Sequence, residues 1–155
     1  MFENLTIREE RSMVLVKRAF KLILGAYLVI GLIAFYRAWF QVKSLELKST
    51  DTVIHRGSAV QTKVVSYART AVEVRLELVQ GAHSETFAVQ HVPGNTWSFF
   101  DPRMRQASQS VILNGAILER FQPGKAGVRA TATGRPQLMR LPPPLVREVA
   151  VEIGR

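Results

Sequence analysis

Residues 22–36 read LILGAYLVIGLIAFY, fifteen positions without a charge. Ala19 and Phe20 extend the run on one side, and Ala38, Trp39 and Phe40 on the other. The resulting 22 residues are interrupted only by Lys21 and Arg37. A bilayer core takes about 20 residues of helix. Lys21 and Arg37 stand near its two ends, where long basic side chains reach up to the headgroups. Tyr36, Trp39 and Phe40 gather at the C-terminal end, as an interfacial aromatic belt does. A surface helix would carry a polar face, and this run has none. A cleaved signal peptide shares the basic start and the apolar middle. It also needs a small-x-small cleavage site, which Tyr36-Arg37-Ala38-Trp39-Phe40 does not supply. The stretch therefore reads as an uncleaved transmembrane helix over residues 19–41.

The flanks set the expected orientation. Residues 1–21 carry five basic residues, Arg8, Arg11, Lys17, Arg18 and Lys21, and the fifteen residues after Tyr36 carry three, Arg37, Lys43 and Lys48. The positive-inside rule then puts residues 1–18 in the cytoplasm and the C-terminal domain outside it, in the periplasm if the source is Gram-negative. Thr6-x-x-Glu9 has the spacing of a capping box, which predicts a helix start near Thr6. Neither Pro nor Gly follows before Gly25, so that helix runs on into the membrane segment. Within the span, Gly31, Ala34 and Ala38 form a stripe at helical spacing with Tyr27 beside it. Small residues let a second helix approach closely, which makes this stripe the expected contact with other membrane protein subunits.

Beyond Leu45 the period changes from 3.6 to 2. Val72, Val74, Leu76 and Leu78 alternate with Glu73, Arg75 and Glu77, the signature of a half-buried strand. Val149, Val151 and Ile153 alternate with polar or small residues in the same way, and so do Val128, Ala130 and Ala132. Further strands are expected at 44–49, 59–67, 84–92, 96–100, 108–114 and 116–121. Gln80-Gly81, Pro93-Gly94-Asn95, Asn114-Gly115 and Pro123-Gly124 punctuate them. Seven to nine short strands at this spacing predict an all-β antiparallel sandwich over residues 45–155, with a barrel as the alternative.

This pattern resembles an immunoglobulin-like or fibronectin-III-like module. Phe121 to Ala132 is similar to the corner leading into the penultimate strand, and Leu145 to Ile153 to the final strand. The cysteine pair and the corner tyrosine of immunoglobulins are absent. The resemblance implies a fold and no particular activity.

Residue patterns that carry chemistry are scarce. Without cysteine there is no disulfide framework, thiol catalysis or Cys-ligated metal. His55, His83 and His91 do not have the spacing of a zinc site, and no phosphate loop, nucleophile elbow or dinucleotide fingerprint occurs. No cofactor, no metal and no enzymatic activity are expected. The chain carries a net charge of +9. Its basic residues alternate with others instead of forming an aromatic-lined stripe, which argues against nucleic acid and for a surface beside an anionic bilayer. Two segments have the composition of interface cores: Leu138-Met139-Arg140-Leu141, and the stretch ending in Arg103 and Arg105. The layout predicts a non-catalytic, single-pass accessory subunit of a larger membrane complex. A free-standing adhesion, sensor or assembly module that binds an anionic ligand is the competing expectation.

Overall fold

The computed structural model describes the backbone of residues 3–94 and 103–154 and the side chains of residues 13–94 and 103–154. The first element, α1, is one helix from Glu3 to Phe40. It begins upstream of the capping box at Thr6, because neither glycine nor proline precedes Thr6 to stop it. Its apolar part, Met13–Phe40, is 28 residues long. At helical rise that is roughly 42 Å, against about 30 Å of hydrocarbon core. It is long and apolar enough to cross a membrane, and none of its most apolar stretch is buried. Leu22, Tyr27 and Leu32 are 75%, 71% and 68% exposed. The core helix of a soluble protein buries such residues.

The chain forms two compact units, Met1–Arg37 and Ala38–Arg155. The second is β-rich. Its strands are β1 (Val42–Ser49), β2 (Val53–Ile54), β3 (Ala59–Tyr67), β4 (Ala71–Gln80), β5 (His83–Val92), β6 (Met104–Ile112), β7 (Gly124–Arg135) and β8 (Leu145–Ile153). A short helix, α2 (Gly115–Leu118), lies between β6 and β7. One sheet has the order β1-β3-β6 and the other β2-β8-β7-β4-β5.

The alternation read in the sequence is the alternation of burial. Val72, Val74, Leu76 and Leu78 of β4 are buried, as are Val128, Ala130 and Ala132 of β7. Residues from both sheets join one apolar core, including Val42, Leu45 and Leu47 of β1 and Val60 and Val64 of β3. Large and small side chains sit side by side. Leu76 lies between Ala130 of β7 and Ala88 of β5 in the ladder, and Val74 is opposite Ala132. Such pairing fills a layer without forcing rotamers. Inside the core, a polar tie joins the two sheets: the Thr62 hydroxyl donates to Gln90 Oε1 at 2.9 Å. It satisfies a hydroxyl that is only 3% exposed, which left alone would weaken the core.

Two expectations need correction. The β unit is not wholly antiparallel, since β2 runs parallel to β8, with Val53 beside Glu152 and Ile54 beside Ile153. The chain leaves β1 in one sheet and joins the edge of the other after Thr52, whose carbonyl accepts from the Glu152 amide at 2.9 Å. A two-residue strand is too short to carry a period. Residues 116–121 are not a strand either. The Asn114 side chain accepts from the Ala116 amide at 3.2 Å and starts α2, and this cap outcompetes the ladder. The β6 strand begins at Met104, earlier than the polar stretch around Ser108 indicates. The expected strand at 96–100, with Trp97 and Phe99, lies outside the described residues.

Candidate functional site

The β unit has two ends. One is formed by the last turn of α1, the β3–β4 turn, the start of β6 and the β7–β8 connection. This is its root, where the chain enters from the apolar helix. The entry is short: α1 ends at Phe40, β1 begins at Val42, and Gln41 alone links them.

The root is built from aromatic and basic side chains around the backbone of Trp39 and Phe40. The Thr70 hydroxyl, fully buried, donates to the Trp39 carbonyl at 2.9 Å. That carbonyl is in the last turn of α1, where backbone acceptors have no partner within the helix. The Trp39 ring stacks on Tyr67, with centroids 5.5 Å apart and planes 17° from parallel. Lys43 Nζ lies 4.9 Å from the Tyr67 ring centroid and the Arg69 guanidinium carbon 6.0 Å from that of Phe40, within the reach of cation–π attraction. Gly134 lets the chain pass closely, since a β-carbon there would stand 2.0 Å from the Phe40 carbonyl oxygen. Arg105 donates to the Thr70 carbonyl at 2.7 Å and to that of Val92 at 3.4 Å. Partial burial lowers its pKa from the ordinary arginine value, because desolvation disfavours the charged form. A cleft of about 400 Å³ opens beside these groups, lined by Phe40, Arg69, Ala71, Gly94, Arg135 and Pro136.

The β7–β8 connection projects a small hairpin from the same end. Leu138 and Leu141 exchange backbone hydrogen bonds, 3.1 Å from the Leu138 amide and 2.8 Å from the Leu141 amide. The two residues between them, Met139 and Arg140, have φ of 49° and 62°. Two-residue hairpins require such positive angles, and Asn-Gly is the usual choice. In Met and Arg the β-carbon makes them costly, by roughly 1–2 kcal/mol per residue. Pro142 is fully buried and fixes the base of the hairpin, while Leu138 is 61% and Met139 88% exposed.

The structure thus groups some of the residues singled out in the sequence and separates others. Leu138, Met139 and Arg140 form an exposed tip, while Leu141 is half-buried at its base. Arg103 is exposed at the same root, and its carbonyl accepts from the Ala68 amide at 2.8 Å. Trp39 and Phe40 are half-buried in the β unit. Lys21, Tyr27, Gly31, Ala34, Arg37 and Ala38 are exposed along α1, and Tyr36 is half-buried. Tyr67, Arg69, Thr70 and Gly134 carry the root and are not evident in the sequence. The one available signal was an aromatic–basic–hydroxyl cluster in a turn, Tyr67-Ala68-Arg69-Thr70.

At the opposite end the fold brings Asp51, His55 and Ser58 together. The Ser58 hydroxyl donates to Asp51 Oδ2 at 2.8 Å and accepts from the His55 amide at 3.1 Å. His55 Nδ1 lies 3.3 Å from the Val53 carbonyl and 3.4 Å from Ser58 Oγ. A catalytic triad needs the carboxylate on the imidazole and the imidazole on the hydroxyl. Here the carboxylate accepts the hydroxyl's hydrogen bond directly, an arrangement that closes a turn. Among the described residues, no group of three or more His, Asp or Glu is placed to hold a metal ion.

No protein-family model and no curated protein matches the chain. Among solved structures, a β-glucosidase from Erythrobacter marinus is similar at 11% identity with a TM-score of 0.38, over 72% of this chain and 15% of that one. The chain thus spans about a seventh of that enzyme's length, and a likeness of this size carries no argument about fold or activity.

Proposed function

We propose that the protein is a non-catalytic, single-pass accessory subunit of a larger membrane complex. In this reading α1 crosses the bilayer with residues 1–18 in the cytoplasm. The β unit is an extracytoplasmic, immunoglobulin-like sandwich that docks on larger subunits. The observation that carries the reading is the single-residue link at Gln41 between an apolar helix with no buried stretch and a β unit that grips the helix's last turn. A module that captures distant ligands is served by a long flexible tether. A module held against the membrane surface by one residue is suited to neighbours in the same membrane.

The sandwich reading has support in the strand order. One sheet holds the first, third and sixth strands. In the other, the last two strands lie beside β4 and β5. Immunoglobulin-like domains place their final two strands next to the third and its hairpin partner in this way. The lateral contact assigned to Gly31, Ala34 and Ala38 rests on their exposure and on the open space around Gly31, which has nothing within 4 Å of an added β-carbon.

The test is purification from native membranes in mild detergent through a C-terminal tag, followed by native mass spectrometry. Stoichiometric recovery with larger membrane subunits is expected, and recovery as a lone chain overturns the proposal. Replacing Gly31 and Ala34 by Leu is expected to release the partners while the chain stays in the membrane.

A further inference from the structure

The charge of the β unit is not evenly distributed. The root comprises segments 38–44, 65–73, 90–94, 103–106 and 133–146. Among these, six residues are basic (Lys43, Arg69, Arg103, Arg105, Arg135 and Arg140) and one is acidic, Glu73. In the rest of the described β unit the counts are eight and seven. The net charge of the described β unit is therefore +5 at the end where the chain arrives from α1 and +1 elsewhere. Glu73 offsets Arg135 among these, since its carboxylate faces Arg135 at 3.0 Å and Arg75 at 3.8 Å, and the other five basic residues carry the field.

The same end carries the exposed apolar tip. Leu138 and Met139 are exposed on a hairpin closed by the reciprocal Leu138–Leu141 hydrogen bonds, with Pro142 buried at its base. Apolar side chains beside a field of one sign are the components of an interfacial membrane contact. The apolar groups enter the headgroup–acyl boundary, and basic groups above them take lipid phosphates. Arg140, exposed at the same tip, has the apolar stem and charged head that suit both roles. Arg69 and Arg135 line the cleft beside Phe40, the last residue of α1.

We propose that the root of the β unit is a second membrane contact. The Leu138–Leu141 hairpin dips Leu138 and Met139 into an anionic bilayer surface, and the surrounding arginines bind its phosphates. The contact rests on α1 crossing the membrane and is independent of which subunits accompany the chain. It fixes the β unit at two points, the Gln41 link and the hairpin, and so sets its tilt on the membrane. A protein partner on the same patch is the rival occupant. Charge decides between them, since the patch is complementary to a uniformly anionic surface.

The chain has no cysteine, so Met139→Cys creates one labelling site, at a position exposed enough to leave the fold intact. Ala82→Cys, in the β4–β5 turn at the opposite end, is the control. Each full-length variant carries an environment-sensitive fluorophore. Each is reconstituted in phosphatidylcholine–phosphatidylglycerol vesicles bearing a lipid-attached quencher. The expected result is blue-shifted emission and several-fold stronger quenching at 139 than at 82, falling when phosphatidylglycerol is left out. Equal, water-like emission at both sites overturns the proposal. So does a label at 139 that is unquenched in vesicles but shielded in the native complex, which assigns the tip to a protein partner. Flotation of the vesicles reads α1 separately. A chain that floats with an unquenched 139 sinks the hairpin contact alone. A chain that does not float sinks the membrane anchor and this contact with it.

Discussion

Gly134 shows how much of the root depends on single positions. A β-carbon there meets the Phe40 carbonyl at 2.0 Å, whereas at Gly127 it meets the movable end of the Glu148 side chain at 2.6 Å. Gly134→Ala is expected to cost about 2–3 kcal/mol, because backbone must move, and Gly127→Ala clearly less. Thermal melts of the two variants in detergent check the contrast, and equal losses would refute it. Thr70→Val keeps the shape of a fully buried residue and leaves the Trp39 carbonyl without its 2.9 Å donor. Its expected cost is about 1–3 kcal/mol, with a change in tryptophan emission as the Trp39–Tyr67 stack loosens. The hairpin tip runs the other way. Met139→Asn combined with Arg140→Gly supplies the residues that two positive φ angles favour, and is expected to raise stability by about 1–2 kcal/mol. A tip that is costly for the fold and unshielded from water is the kind of feature retained for contact.

At the scale of elements, the strands were legible because burial on one face imposes a strict period of two. Val72 to Leu78 and Val149 to Ile153 fall on the inner face as their alternation requires, and the start and end of β3 at Ala59 and Tyr67 match the reading. What lacked a period was not legible. β2 has two residues, and its parallel partner β8 lies about a hundred residues away in sequence. In 116–121 the adjacent apolar Ile117 and Leu118 fit either element, and the Asn114 cap decides for α2. Asn114→Ala is therefore expected to destabilise the β unit by about 1 kcal/mol, with faster amide exchange confined to residues near α2. Exchange that quickens evenly over both sheets would show that the cap is not local. The β5 strand holds a bulge opposite Leu76 and Glu77, which turns both Phe87 and Ala88 onto the core. A plain alternation would have sent one of them outward.

At the scale of the whole molecule, the functional reading rests on where the helix ends and what it meets. An alkaline phosphatase fusion after the β unit is expected to be active in a bacterial host, and the same fusion after residue 18 inactive. The reverse result would invert the orientation drawn from the flanking charges. The sequence alone determined the apolar helix, the switch to a period of two, most strand positions and the lack of any recognisable catalytic motif. These follow from local composition and periodicity, which each residue carries with it. Only the tertiary structure decided the root. Tyr67 with Thr70, Arg105, and Gly134 with the 138–141 hairpin come from three distant stretches of the chain. They meet because strand pairing brings the ends of β3, β7 and the start of β6 to the last turn of α1. The concentration of positive charge at that end has the same origin. In the sequence the arginines alternate along separate strands and turns, and only the folding of the two sheets gathers them on one side.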